Sequence, residues 1–155
     1  MIGVVFVLYV MARAVLLTAI TQAQFKDCGS SNVTMIDVYV GPCNTNPCIL
    51  YKGSKATINI NFVVNNTGVE PGNTTATALV QGAEIPIPLD EPDVCKHIKQ
   101  GCPLKSTNTI YTYSFEAHIS EKYPMVNLYV TWRLMNIQNV PFICVQLPLT
   151  LSDIP

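Results

Sequence analysis

Residues 110–134 leave the chain few folds to choose from. Before a Tyr123–Pro124 corner, Tyr111, Tyr113, Phe115, Ala117 and Ile119 share one parity, with Thr112, Ser114, Glu116 and His118 on the other. After it, Val126, Leu128, Val130, Trp132 and Leu134 form an apolar row set against Met125, Asn127, Tyr129, Thr131 and Arg133. Successive side chains of a strand point to opposite faces, so a period of two sustained over this length calls for half-buried strands rather than an amphipathic helix.

The same period recurs elsewhere. Residues 33–40 place Ile36, Val38 and Val40 on one parity with Asp37 between them, and residues 55–64 alternate most clearly, with Ile58, Ile60, Phe62 and Val64 against Thr57, Asn59 and Asn61. Residues 75–81, with β-branched Thr75, Thr77 and Val80, read as another strand. In residues 83–89 apolar positions alternate with Glu84, Pro86 and Pro88, which predicts an edge strand because proline has no ladder donor. The last strand, within residues 140–151, aligns Ile143, Val145, Leu147 and Leu149, and Pro148 predicts an edge there too. Between these lie the turn-rich stretch 41–48, a Gly/Asn/Pro loop at 65–74 and an acidic stretch at 90–105 that reads as an exposed connection. Seven or so short strands and no long amphipathic helix predict an all-β, two-sheet β-sandwich.

A chain of 155 residues has room for one domain. Residues 4–20 are almost wholly apolar and run into Thr21-Gln22-Ala23, which predicts a signal peptide over 1–23 and a domain over 24–155. No Lys or Arg precedes that run, and Arg13 interrupts it, which argues against a permanent anchor. Removing it would take away Arg13 and no acidic residue, leaving eight basic against ten acidic side chains. Without a basic patch, nucleic acid is excluded as an expected partner.

All six cysteines follow residue 23, as expected of three disulfides in a secreted chain. Fifteen pairings exist in principle; Cys43 with Cys48 and Cys95 with Cys102 close short loops, leaving Cys28 to reach Cys144. Zinc finds no ligand set, since no Cys-x-x-Cys occurs and the only histidines are His97 and His118. Asn32, Asn65 and Asn73 each open an Asn-x-Ser/Thr sequon and are candidate glycosylation sites.

Enzyme chemistry is not in evidence. Gly-x-Ser-x-Gly, His-Glu-x-x-His and glycine-rich phosphate loops are all missing, and every cysteine has a disulfide partner to hand. His118 falls on a solvated parity, and His97 sits beside Lys96 in a short disulfide loop, so both are expected to be exposed. Glu84, Asp90, Glu91 and Asp93 lack the ligand order of a calcium loop and read as a solvated cluster. The apolar supply is large for a sandwich of this size, and such a supply either fills a core or lines a cavity.

A set of motifs adds to this reading. Phe25-Lys26-Asp27-Cys28-Gly29-Ser30, Pro42-Cys43, Asn46-Pro47-Cys48, Lys52-Gly53, Glu91-Pro92-Asp93 with Cys95, Cys102-Pro103, Tyr111-Thr112-Tyr113, Tyr123-Pro124, Trp132 and Cys144 resemble the Niemann-Pick type C2 lipid-binding proteins, as a secreted ML-domain protein of arthropod type. The resemblance implies an immunoglobulin-like β-sandwich with three disulfides, paired Cys28–Cys144, Cys43–Cys48 and Cys95–Cys102, whose sheets part to hold one sterol or fatty-acid-like lipid. It places the ligand among Ile58, Ile85, Ile87, Ile119, Tyr123, Pro124, Val126, Leu128, Val130, Trp132, Val145 and Leu147. It implies no cofactor, no catalysis, a monomer, transient contact with membranes or membrane proteins, and an extracellular or lysosomal destination. Ala56, Ile87 and Val145 stand where sterol carriers typically have aromatic rings, which implies tolerance of flexible chains. The other reading is a secreted interaction module for lipid-dependent immune or chemosensory recognition. An antibody-type domain fits less well, because Trp132 follows five of the six cysteines.

Overall fold

A computed structural model describes residues 24–43 and 45–155; the signal peptide expected over 1–23 lies outside the described residues. The alternating segments become β1 (Lys26–Asp27), β2 (Val33–Gly41), β3 (Cys48–Tyr51), β4 (Lys55–Val64), β5 (Pro71–Val80), β6 (Ala83–Ile87), β7 (Tyr111–His118), β8 (Val126–Asn136) and β9 (Pro141–Ser152), with one 3-10 turn at Val94–His97. Among the described residues there is no α-helix.

One sheet runs β1-β9-β8-β5-β6, with β3 also pairing β9 in parallel; the other runs β2-β4-β7. Their inner faces carry the predicted apolar parities, among them Ile60, Phe62, Tyr113, Leu134 and Ile143, which are fully buried. The outer face of the smaller sheet is polar: Asn61 donates to Asp37 Oδ1 at 2.6 Å and accepts from Thr112 Oγ1 at 2.7 Å, joining its three strands. The disulfides are Cys28–Cys144, Cys43–Cys48 and Cys95–Cys102.

The fold departs from the sequence reading at three places. Ile36 is exposed rather than inward, because the β2–β4 register shifts between Met35 and Asp37 and inserts an unpaired residue. Pro148 is not at an edge. β9 has β8 along one side and, on the other, β1 at Val145 and Gln146 and β3 from Leu149 onward; Pro148 falls in the gap between those two neighbours. Nor is the stretch 90–105 simply exposed. Val94, Ile98 and Leu104 are buried, and the stretch bridges β5 and β7 through Asn73↔Asp93 and Ile98↔Tyr113. A sandwich whose sheets end on β6 and β7 has an open side, and these three apolar side chains plug its inner half.

Candidate functional site

The outer half of that open side is not plugged. A cavity of about 540 Å³ lies between the sheets, walled by Ile58, Phe115 and Val40 from the small sheet and by Ala78, Val130, Trp132, Leu147 and Leu149 from the large one. Its floor follows from the register. Ile58, Phe115, Trp132 and Leu147 line it, whereas Ile60, Tyr113, Leu134 and Val145, two positions further along the same strands, are packed to zero exposure. The Phe115 and Trp132 rings meet edge-on at 5.1 Å and close the inner end.

Beneath this floor the Tyr113 hydroxyl bonds Thr74 Oγ1 at 2.9 Å. Burial pushes its pKa up to about 12, against a smaller pull from that bond and from the nearby Trp132 N–H. Trp132 Nε1 is buried without a partner of hydrogen-bonding geometry, so its contact with that hydroxyl is electrostatic proximity only.

The mouth is marked by cavity-lining residues that are themselves in water. Ile85 is 50% exposed and Tyr123 37%, and Met125, beside lining Pro124 and Val126, is 60% exposed. One lip is β6 and the segment after it; the other is the Tyr123–Pro124 corner. Pro86 within β6 and Pro88 just after it keep this lip extended without offering a full ladder edge, so the lip stays an edge.

Polar groups line the cavity on the side of the segment that follows β6. Asp90, Glu91 and His97 line the cavity. Lys96 donates to Glu91 Oε2 at 2.6 Å and holds that carboxyl below its usual range. His97 is half-buried, packed on Phe115 at 4.7 Å and Tyr113 at 5.8 Å, with Nε2 bonded to the Glu91 carbonyl at 2.8 Å. Its expected exposure therefore does not hold: the segment that plugs the sandwich carries it inward. Thr57, Glu116 and His118 also border the cavity but stand on the outward parity, where Lys55 takes Glu116 at 2.7 Å.

Of the positions named from sequence, Ile58, Ile85, Ile87, Ile119, Tyr123, Pro124, Val126, Leu128, Val130, Trp132 and Leu147 line this cavity. Val145 does not. It points inward but sits beside Trp132 in the β8–β9 register, behind the floor. Val40, Leu149 and Leu151 were not named, although each continues an inward parity already visible in the sequence; Leu50, Ala78 and Val80 carried no such signal. The sequons lie at the other end of the same strands. Asn32 precedes β2, Asn65 follows β4 and Asn73 opens β5, whereas the cavity takes the first residues of β4 and the last of β5. Asn32 Nδ2 donates to the Thr67 carbonyl at 2.7 Å, and Thr34 Oγ1 donates to Asn65 Oδ1 at 2.9 Å, so two sequons interlock.

The chain has relatives among known proteins. Residues 22–151 match the ML domain. This chain belongs to the ML-domain family. Among its ML-domain relatives, mouse NPC intracellular cholesterol transporter 2 is 33% identical over 142 residues, covering 88% of this chain and 92% of that protein. Fruit-fly NPC intracellular cholesterol transporter 2 homolog a is 30% identical, covering 90% and 94%. The crystal structure of a Niemann-Pick type C2 protein from Japanese carpenter ant superposes with a TM-score of 0.74 at 22% identity, covering 83% of this chain and 99% of that one, a likeness of fold. The matched ML-domain span takes in β1 to β8 and reaches Leu151 in β9, so both walls of the cavity belong to the family's domain. Among the described residues of this ML domain, no helix is long and apolar enough to cross a membrane, and no group of three metal-ligating side chains occurs.

Proposed function

We propose that this ML-domain protein is secreted after a cut following Ala23 and carries one lipid between its sheets as a monomer, in the manner that the names of its cholesterol-transporter relatives describe. The observation that carries the reading is the cavity: about 540 Å³, apolar on both walls, closed at the Phe115–Trp132 floor and open at an apolar rim. Pockets of this size and lining suit one small apolar molecule. The work is physical. Apolar ligand surface leaves water at roughly 25 cal/mol per Å², and no bond is made or broken, so neither a cofactor nor a catalytic base is required. The exposed rim at Ile85, Tyr123 and Met125 is where a membrane or a membrane protein would deliver and collect the lipid. Ala56 and Ile87 in the wall, both aliphatic, favour a flexible chain as well as a sterol.

The test is mass spectrometry of the organic extract of secreted protein, with stoichiometry; about one lipid per chain is expected. Protein secreted empty that takes up no lipid when offered it would sink the reading. A second check is Val126→Trp, which fills the cavity from a half-buried wall position. Uptake should be lost while the disulfide-bonded fold persists, since filling a void costs less than overpacking a core. Unchanged uptake would place the ligand elsewhere.

A further inference from the structure

We infer that His97 selects the head of the lipid, favouring amphiphiles whose head donates a hydrogen bond, such as a hydroxyl, over those that end in a carboxylate. The inference rests on the lipid-carrier reading and narrows it. The Glu91 carbonyl can only accept, so at 2.8 Å His97 Nε2 must carry the hydrogen. In the neutral ring Nδ1 is then a lone-pair acceptor, and among the described residues it has no hydrogen-bond partner. The ring cannot easily turn to exchange the two nitrogens, because it is wedged against Phe115 and Tyr113.

The surrounding groups agree. The other polar side chains that line the cavity beside His97, Asp90 and Glu91, are carboxylates, and Glu91 is held ionised by Lys96. Among the described residues no lysine or arginine lines the cavity; Lys96 and Lys55 are bonded to Glu91 and Glu116. A hydroxyl of a bound lipid that reaches His97 therefore meets acceptors with its hydrogen. A carboxylate would meet the same acceptors with no hydrogen to give and no cation to pair, and leaving a charge unpaired on desolvation is costly.

Three ligands with one chain separate the possibilities: oleyl alcohol, oleyl methyl ether and sodium oleate, each used to displace the uncharged probe phenylnaphthylamine from the delipidated, full secreted protein at neutral pH. The alcohol should bind about tenfold tighter than the ether, the equivalent of one good hydrogen bond, with oleate weakest. In His97→Phe, which keeps a ring against Phe115 but removes the acceptor, the alcohol should fall to the level of the ether. Alcohol and ether binding equally, or oleate binding tightest, would overturn the selection while leaving the carrier reading intact. If neither the probe nor any of the three binds, the carrier reading itself fails. The ligand series needs only the parent protein, so the inference stays open to refutation even if the variant does not fold.

Discussion

Tyr113 illustrates how one residue can record the packing around it. Its hydroxyl sits under the cavity floor with Thr74 as partner, and burial raises its pKa to about 12 from 10.0. A folded value above the unfolded one means that the unfolded chain releases its proton first. The stabilisation is thus complete below about pH 10 and is lost as pH climbs towards 12, by about 3 kcal/mol at most. Tyr113→Phe should cost about 1 kcal/mol at pH 7 through the lost bond to Thr74, yet lose less stability than the parent between pH 9 and about 11. Urea unfolding at the two pH values checks it; parallel losses in both proteins would show that another group drives the alkaline transition. His97 is the residue that sequence misplaced most. Its neighbours Lys96 and Lys99 advertise solvent, and only the buried Val94 and Ile98 on either side, pulled into the gap between sheets, bring its ring against Phe115.

At the scale of elements, the strands that alternate over five or more residues were legible, and the two shortest were not. β1 has two residues and β3 four, too few for a period to show, and both owe their place to a partner far along the chain. β1 is clasped to β9 by the Lys26↔Gln146 and Asp27↔Val145 pairs, by the Ser30 hydroxyl accepting from Cys144 N at 3.0 Å and by the Cys28–Cys144 disulfide. Although burial alone would raise the pKa of Asp27, the Ser30 and Gly29 N–H groups and the Ser30 hydroxyl hold it below the usual range. This small contribution is present above the ordinary carboxylate pKa and fades as pH falls through the lowered one. The disulfide matters more, since it spans 116 residues against 5 for Cys43–Cys48. On the chain-entropy account, replacing Cys28 and Cys144 by serine should cost about 4 to 5 kcal/mol and replacing Cys43 and Cys48 about 2. Equal losses in urea unfolding would show that the short turn, not the long closure, is what the cysteines secure.

Across the whole molecule, the parities at Ile58, Val126–Trp132 and Leu147 fixed which faces turn inward, but no parity says how far apart two facing sheets stand. Val145 shows the limit: it shares its parity with Leu147, yet one lies behind the floor and the other beside the void, because Trp132 and Phe115 meet between them. The void occupies one end of the sandwich, and the sequons at Asn32, Asn65 and Asn73 occupy the other. Glycans are bulky and hydrated, so glycans at these sequons would leave the cavity's pole as the one that can approach a membrane. Enzymatic trimming of any glycans at Asn32, Asn65 and Asn73 should leave vesicle-to-vesicle lipid transfer at the parental rate. A new sequon at the rim, made by Met125→Asn with Asn127→Thr, should slow transfer when the site is glycosylated, while Met125→Asn alone, which adds no glycan, isolates the loss of the methionine side chain. Met125 is 60% exposed beside lining Pro124 and Val126, so a glycan there would stand in the path of any surface approaching the mouth. If the rim-glycosylated protein transfers as fast as its unglycosylated control, lipid does not pass through the mouth between β6 and the Tyr123–Pro124 corner. The exit would then have to lie at the pole of the sequons, where Phe62, Leu134 and Ile143 are packed without space for it.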